Sequence, residues 1–123
     1  MLNDIFVYVG ASVIFLWGLA HILVLKPVVS GFGALSIPNS HIITMEWVAE
    51  GLSLCFVGIL AFLVATAGPP ALGALVYRTL AAFLVTLAVL SAFTGAQTRV
   101  LPMKLCPFVK SGVAVLFVLA TFA

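Results

Sequence analysis

Charged side chains are scarce in this sequence. Lys and Arg contribute five of the 123 residues and Asp and Glu only three, so that 7% of the chain is charged. The formal net charge of +2 is small and no dense basic cluster occurs, which argues against nucleic-acid binding. Hydrophobic residues make up 65% of the chain and form long uncharged runs. This composition is typical of a protein that lies mostly in a lipid bilayer.

Other sequence patterns are also missing. The apolar runs show none of the alternation expected of barrel strands, and the two halves of the chain do not repeat. Only two cysteines occur, and Cys55 and Cys106 do not form a CxxC pair. Because we predict them at different depths, we expect two buried apolar side chains rather than a disulfide.

Four apolar windows are long enough to cross a hydrocarbon core of about 30 Å as helices. They cover about residues 5–25, 42–67, 79–98 and 107–123. We therefore predict an all-α membrane protein, with four transmembrane helices in one antiparallel bundle and a single domain over residues 1–123. The first run follows Asp4 rather than basic residues and is too long for a signal peptide, so we expect it to be retained.

Proline and glycine mark the connections. Pro38, with Asn39 or Ser40 as a cap, predicts the start of the second helix. The sequence at 68–70, Gly-Pro-Pro, predicts its end and a tight turn, and Pro107 suits the first position of the fourth helix. The connection at 26–40 contains two prolines and two glycines, so we expect an interfacial or partly folded-back segment rather than a continuous helix.

Basic residues near helix ends predict the orientation. Lys26, Arg99, Lys104 and Lys110 fall on the side of the first and third connections, and only Arg78 falls near the other side. Because basic residues accumulate on the cytoplasmic side, we expect both termini on the non-cytoplasmic side, with a bacterial inner membrane as the location.

Small residues recur at helical spacing on two of the predicted helices. Such stripes let helix backbones approach closely, so we interpret them as packing surfaces rather than a ligand site. The residues are Gly51, Cys55 and Gly58 on the second helix, and Ala88, Ser91, Ala92 and Gly95 on the third.

Two carboxylates, Glu46 and Glu50, lie one helical turn apart on one face of the second helix. His21, on the first helix, and Lys110, on the fourth, are predicted at similar depths. An ionised side chain facing lipid costs at least about 2.5 to 3.5 kcal/mol, so we expect these four to converge on one cavity in the cytoplasmic half. One carboxyl should be protonated, or both neutralised by Lys110, Arg99 or a bound cation.

Three interpretations of this cluster stay open. The first is a structural network that fixes helix register. The second is a polar pocket for a small amphipathic molecule, such as a quinone, a lipid head group or a sterol-like compound. The third is a metal site with His21 and the glutamates, or a haem held by His21 and His41. The Glu-x-x-His spacing of di-iron bundles and any haem-attachment motif are absent, so we assign no metal ligand.

Two tryptophans adjoin the cluster. Trp17 is one turn before His21, and Trp47 directly follows Glu46. An indole N–H requires a partner, and each ring suits a pocket wall. Trp47 suits interface anchoring equally well, whereas Trp17 is too deep for an interface belt and would pack inside the bundle. The candidate pocket residues are therefore His21, Glu46, Glu50, Trp17, Trp47 and Lys110.

The size, the four-helix plan and the stretch GLAHILVLKP at 18–27 resemble the small bacterial DoxX-like membrane proteins. In these, the first helix often ends in a glycine, a polar residue and a proline. The resemblance implies a four-helix membrane fold and an association with membrane redox or thiol-stress systems. This sequence lacks a cysteine pair, which argues against a thiol-redox role.

With little mass outside the lipid, the chain would act through contacts within the bilayer. We predict an accessory or small-molecule-binding subunit of a larger membrane assembly, with a quinone or lipid-like ligand. The alternative is a small membrane enzyme that uses Glu46 or Glu50 with His21 as an acid–base pair. A transporter is a third hypothesis, weakened by the missing repeats. The expected partners are the lipid bilayer and a second copy or a larger complex; no cofactor is assigned.

Overall fold

A computed structural model of the protein describes residues 2–122 and is all-helical over this range. Four long helices are apolar enough to cross a membrane, in agreement with the number predicted from the sequence. The helices are α1 (Leu2–Leu23), α2 (Leu25–Ser30), α3 (Ile37–Ala67), α4 (Pro70–Phe93) and α5 (Leu101–Leu119), with a 3₁₀ turn at Gly95–Gln97.

The connection between α1 and α3 is partly helical. The short α2 interrupts it, and a turn follows in which Gly33 has a φ of 76°. Only glycine adopts this left-handed conformation without steric cost, so the chain reverses there. The prediction that residues 26–40 do not form one continuous helix is confirmed.

The start of α3 differs from the predicted one. The helix begins at Ile37 rather than at about residue 42, and Ser36 is its N-cap. The Ser36 hydroxyl accepts from the backbone N–H of Asn39 at 3.3 Å. Pro38 lies in the first turn, where no intrahelical donor is required. Pro38 therefore marks the start of the helix as predicted, but the N-cap is Ser36 rather than Asn39 or Ser40.

The start of α4 is also earlier than predicted. The helix begins at Pro70, two residues after the Gly68 C-cap of α3, rather than at about 79. Arg78 therefore lies inside the helix. Its guanidinium donates to the Thr121 hydroxyl at 3.3 Å and lies 5.6 Å from the centre of the Phe122 ring. These partners interact favourably with the Arg78 charge within the helix. At its other end α4 stops at Phe93 rather than at 98.

The fourth spanning helix, α5, begins at Leu101 rather than at 107 and ends at Leu119 rather than at 123. Pro107 is therefore inside the helix, whereas the sequence predicts it at the first helical position. Lys110 lies nine residues after Leu101, about 13 Å along the helix axis at the usual rise. It is thus near the middle of α5.

The four long helices form a bundle in which each packs against two others. α1 contacts α3 and α5, and α4 contacts the same two helices, with the α3–α4 pair the least closely packed. Each long helix supplies one of the fully buried core residues Ile14, Leu54, Leu84 and Phe117. Only 22% to 33% of each helix span is buried within the protein, and large apolar side chains cover much of the remainder.

The α1–α3 interface rests on glycine. A Cβ atom at Gly58 would lie 2.6 Å from the Ala11 carbonyl oxygen, and one at Gly18 would lie 2.7 Å from the Gly51 carbonyl oxygen. The Cys55 thiol, between these two levels, donates to the Phe15 carbonyl at 3.6 Å. This confirms the stripe of small residues on α3 as a packing surface. Residues later in α1 lie beside residues earlier in α3: Ala11 is next to Gly58, and Gly18 is next to Gly51.

Candidate functional site

Each long helix contributes one polar side chain to a cluster inside the bundle. The four residues, called here the polar centre, are His21 of α1, Glu50 of α3, Ser91 of α4 and Lys110 of α5. Because these residues come from four different helices, the geometry of the polar centre depends on how the whole bundle packs.

Lys110 organises the polar centre. Its side chain is fully buried, and its ammonium group donates to Glu50 Oε1 and, at 2.7 Å, to the Ser91 hydroxyl. Ser91 donates its own proton to the Leu87 carbonyl at 2.8 Å, which leaves a lone pair for Lys110. A buried ammonium without partners would cost several kcal/mol, so the carboxylate and the hydroxyl are the groups that make this burial tolerable.

His21 lies on the other side of Glu50. The imidazole is buried, with 7% exposure, and its Nε2 is 3.5 Å from Glu50 Oε2. The pair is close enough for an electrostatic interaction but lacks hydrogen-bond geometry, so Nε2 has no hydrogen-bond partner within the described residues. A buried polar atom without a partner is rare in folded proteins, which makes Nε2 a candidate for ligand binding.

The two tryptophans have different partners. The Trp47 indole stacks on His21 with ring centres 3.9 Å apart and planes 11° apart, and its N–H donates to the His21 carbonyl at 2.6 Å. Trp17 donates to the Cys106 sulfur at 3.4 Å. Trp47 therefore forms a wall beside His21, and Trp17 packs inside the bundle.

Glu46 does not join the other candidates. Its side chain is exposed, and within the described residues it forms no ion pair with His21 or Lys110. The i, i+4 spacing leaves the two carboxylates one turn apart along the axis and about 40° apart around it. At the level of Glu46, the space against His21 is filled by the Trp47 indole. The structure thus brings together three of the four ionisable groups that the sequence placed in one cavity.

The polar centre lies apart from two open clefts of the fold. Two open clefts, of about 410 and 220 Å³, are lined by other residues. His41 is exposed near the start of α3, away from His21 on α1. Over residues 2–122 there is no group of three or more His, Cys, Asp and Glu side chains arranged to hold a metal ion.

Sequence reasoning missed two members of this region. Ser91 appeared only as a small packing residue, and Cys106 as an apolar filler in a connection. Cys106 lies one turn before Lys110 in α5 and is buried. A hydroxyl within a stripe of alanine and glycine was the available signal for Ser91. The direction in which it points depends on how α4 packs against α5, which the sequence does not contain.

Comparison with known protein families, curated proteins and solved structures found no match to this chain.

Proposed function

We propose that the chain is an integral membrane protein whose four long helices cross the bilayer as one antiparallel bundle. Two features support this. Many large side chains exposed on the four helices are apolar, as a lipid-facing surface requires. Exposed hydroxyls within the helices are also satisfied locally: Thr66, Thr79 and Thr86 donate to backbone carbonyls one turn earlier at 2.9 to 3.0 Å.

The length of α3 sets the depth of its two glutamates. Its 31 residues span about 46 Å, more than the roughly 30 Å of a hydrocarbon core. α4 starts almost directly after α3, so the short turn between them lies at one surface and the excess length lies at the N-terminal end of α3. Glu46 then lies in the head-group region, and Glu50 lies about 6 Å deeper.

The orientation is testable. With Lys110 buried in the centre of the bundle, Lys26, Arg99 and Lys104 remain on one side against Arg78 on the other, so both termini are expected on the non-cytoplasmic side. A reporter pair fused after Ala123 measures this: periplasmic alkaline phosphatase activity should be high and cytoplasmic fluorescence absent. Fluorescence without phosphatase activity would reverse the topology.

We propose further that the protein is a small-molecule-binding accessory subunit, and that its ligand binds where His21 meets Glu50. The single observation that carries this proposal is the buried Nε2 of His21, which has no hydrogen-bond partner and lies 3.5 Å from Glu50 Oε2. Glu50 Oε1 is taken by Lys110, whereas the side chain as a whole keeps 31% exposure. Part of the Glu50 side chain is therefore accessible from outside the bundle.

The chemistry of these two atoms specifies the ligand's polar group. A hydroxyl can donate to Glu50 Oε2 and accept from the Nε2–H of His21, and so satisfies both atoms. A ketone or ether oxygen only accepts, and would leave the carboxylate oxygen unmatched. A lipid-soluble phenol or quinol therefore fits better than an oxidised quinone. We propose that the ligand enters from the lipid between α3 and α4, the least closely packed pair of neighbouring long helices.

The ligand proposal is tested with the His21→Phe variant, which keeps an aromatic ring against Trp47 and removes both ring nitrogens. In lipid nanodiscs, calorimetric titration with a short-chain benzoquinol should show binding to the parent protein. The variant should bind about tenfold more weakly or worse, because a hydrogen bond between partly charged groups contributes about 1.5 kcal/mol or more.

Two controls sharpen this test. Glu46→Gln removes an exposed carboxylate one turn away and should leave affinity unchanged. The dimethyl ether of the same quinol lacks donors and should bind the parent weakly. If the ether binds as tightly as the quinol, or if His21→Phe binds like the parent, the proposed site is wrong.

The acid–base alternative would use the same pair. Only Glu50, and not Glu46, is close enough to His21 to exchange a proton with a shared ligand. Conversion of the added quinol without oxygen, detected by mass spectrometry in the parent but not in Glu50→Gln, would favour this enzyme. The DoxX-like resemblance and membership of a larger membrane assembly remain predictions.

A further inference from the structure

A second candidate site lies in the connection between the first two spanning helices. There residues of α2, of the turn after it and of the start of α3 line an open cleft of about 410 Å³. This volume lies in the range of about 300 to 1,000 Å³ that is usual for small-molecule sites. The cleft shares no residue with the polar centre.

The polar lining of the cleft is cationic and rich in hydroxyls. Lys26 is the one charged side chain in the lining, which also includes Ser30, Ser40 and Thr44. Lys26 makes no ion pair within the described residues. An exposed ammonium without a carboxylate, set beside hydroxyl groups, is suited to an anion.

The hydroxyls of Ser40 and Thr44 differ from the others on α3. Ser53 and Thr66 donate to carbonyls of their own helix. Ser40 and Thr44, one turn apart in the cleft, make no side-chain hydrogen bond within residues 2–122. Both protons therefore remain available on the wall shared with Lys26. Ser30 instead donates to the Pro27 carbonyl at 3.0 Å and leaves its oxygen as an acceptor.

We propose that this cleft binds the head group of an anionic phospholipid. The ammonium of Lys26 and the hydroxyls of Ser40 and Thr44 hold the phosphate, and Ser30 accepts from a head-group hydroxyl. The setting favours a lipid over a free anion, because Leu25 and Leu35 line the same cleft and Ile37, which is 75% exposed, lies beside it. Acyl chains can lie on this apolar surface while the phosphate stays in the cleft. The proposal rests on membrane insertion but not on the ligand of the polar centre.

The test uses native mass spectrometry of the full chain released from mixed nanodiscs of phosphatidylglycerol and phosphatidylcholine. The parent should retain one phosphatidylglycerol selectively. Lys26→Gln should lower this retention by about tenfold, because it removes a direct charge-assisted hydrogen bond to the phosphate. Thr44→Val, which keeps both charge and shape, should lower it by about threefold or more.

Lys104→Gln is the matched control, since it removes an equal charge from an exposed lysine in the first turn of α5. It should change retention less than twofold. Equal losses in Lys26→Gln and Lys104→Gln would show diffuse attraction to the membrane surface and overturn the site. Displacement of the lipid by equimolar inorganic phosphate would show a free-anion site and overturn the lipid assignment.

Discussion

Glu50→Leu is expected to lower the free energy of unfolding by about 3 to 5 kcal/mol, the usual cost of removing one partner from a buried ion pair. The variant leaves the fully buried Lys110 ammonium with only Ser91 as a partner. Lys110→Met should have a smaller effect, because the Glu50 side chain that it leaves unpaired is 31% exposed and still faces His21. Denaturant titration of the protein in mixed micelles measures both changes.

The double variant Glu50→Leu with Lys110→Met separates a paired network from two independent packing sites. Replacing a buried pair with apolar residues of similar size is often neutral, so the double variant should recover most of the stability lost in either single variant. A coupling energy above about 2 kcal/mol is expected from the cycle. Additive losses would mean that Lys110 and Glu50 do not stabilise each other as the structure indicates.

Gly58→Ala is expected to destabilise the protein by about 2 to 3 kcal/mol, at the upper end of overpacking effects. The added methyl would lie 2.6 Å from the Ala11 carbonyl oxygen, which belongs to the backbone of α1 and cannot rotate away. The helices would have to separate along the interface that also positions His21 and Glu50. The loss should therefore appear both in the unfolding titration and as weaker quinol binding.

Gly112→Ala provides the control for this substitution. It is the same chemical change in α5, at an exposed position where an added Cβ meets no atom within 4 Å. Its stability should equal or exceed that of the parent, because alanine favours a helix by up to about 1 kcal/mol over glycine. If the two alanine variants melt alike, close glycine packing does not hold α1 against α3.

The number of long helices was predictable because apolar runs of this length have few alternatives. Their ends were less so. Pro38 and Pro107 are equally plausible helix starts, yet one lies in a first turn and the other inside α5. The difference depends on whether the residues before each proline find helical partners. The early start of α4 was not predictable, because it places the charged Arg78 inside a helix. The partners of Arg78, Thr121 and Phe122, come from the far end of the chain.

The sequence predicts the depth of the candidate site residues in the bundle, but not which way each side chain points. The cost of burying charge predicts that His21, Glu50 and Lys110 turn inward, and they do meet. The same reasoning included Glu46, because helical spacing alone places it on the same face as Glu50. Which of the two enters the bundle depends on the position of Trp47 against α1. The unpartnered Nε2 of His21 is likewise a product of tertiary geometry.

The central claim, that a hydroxylated ligand binds between His21 and Glu50, is tested most directly by nitrogen NMR of histidine-labelled protein in lipid nanodiscs. The chain contains two histidines, and the exposed His41 serves as an internal reference. Addition of the benzoquinol should shift the Nε2 resonance of His21 and leave His41 unchanged, whereas the dimethyl ether should shift neither. An unmoved His21 resonance at saturating quinol would contradict the claim.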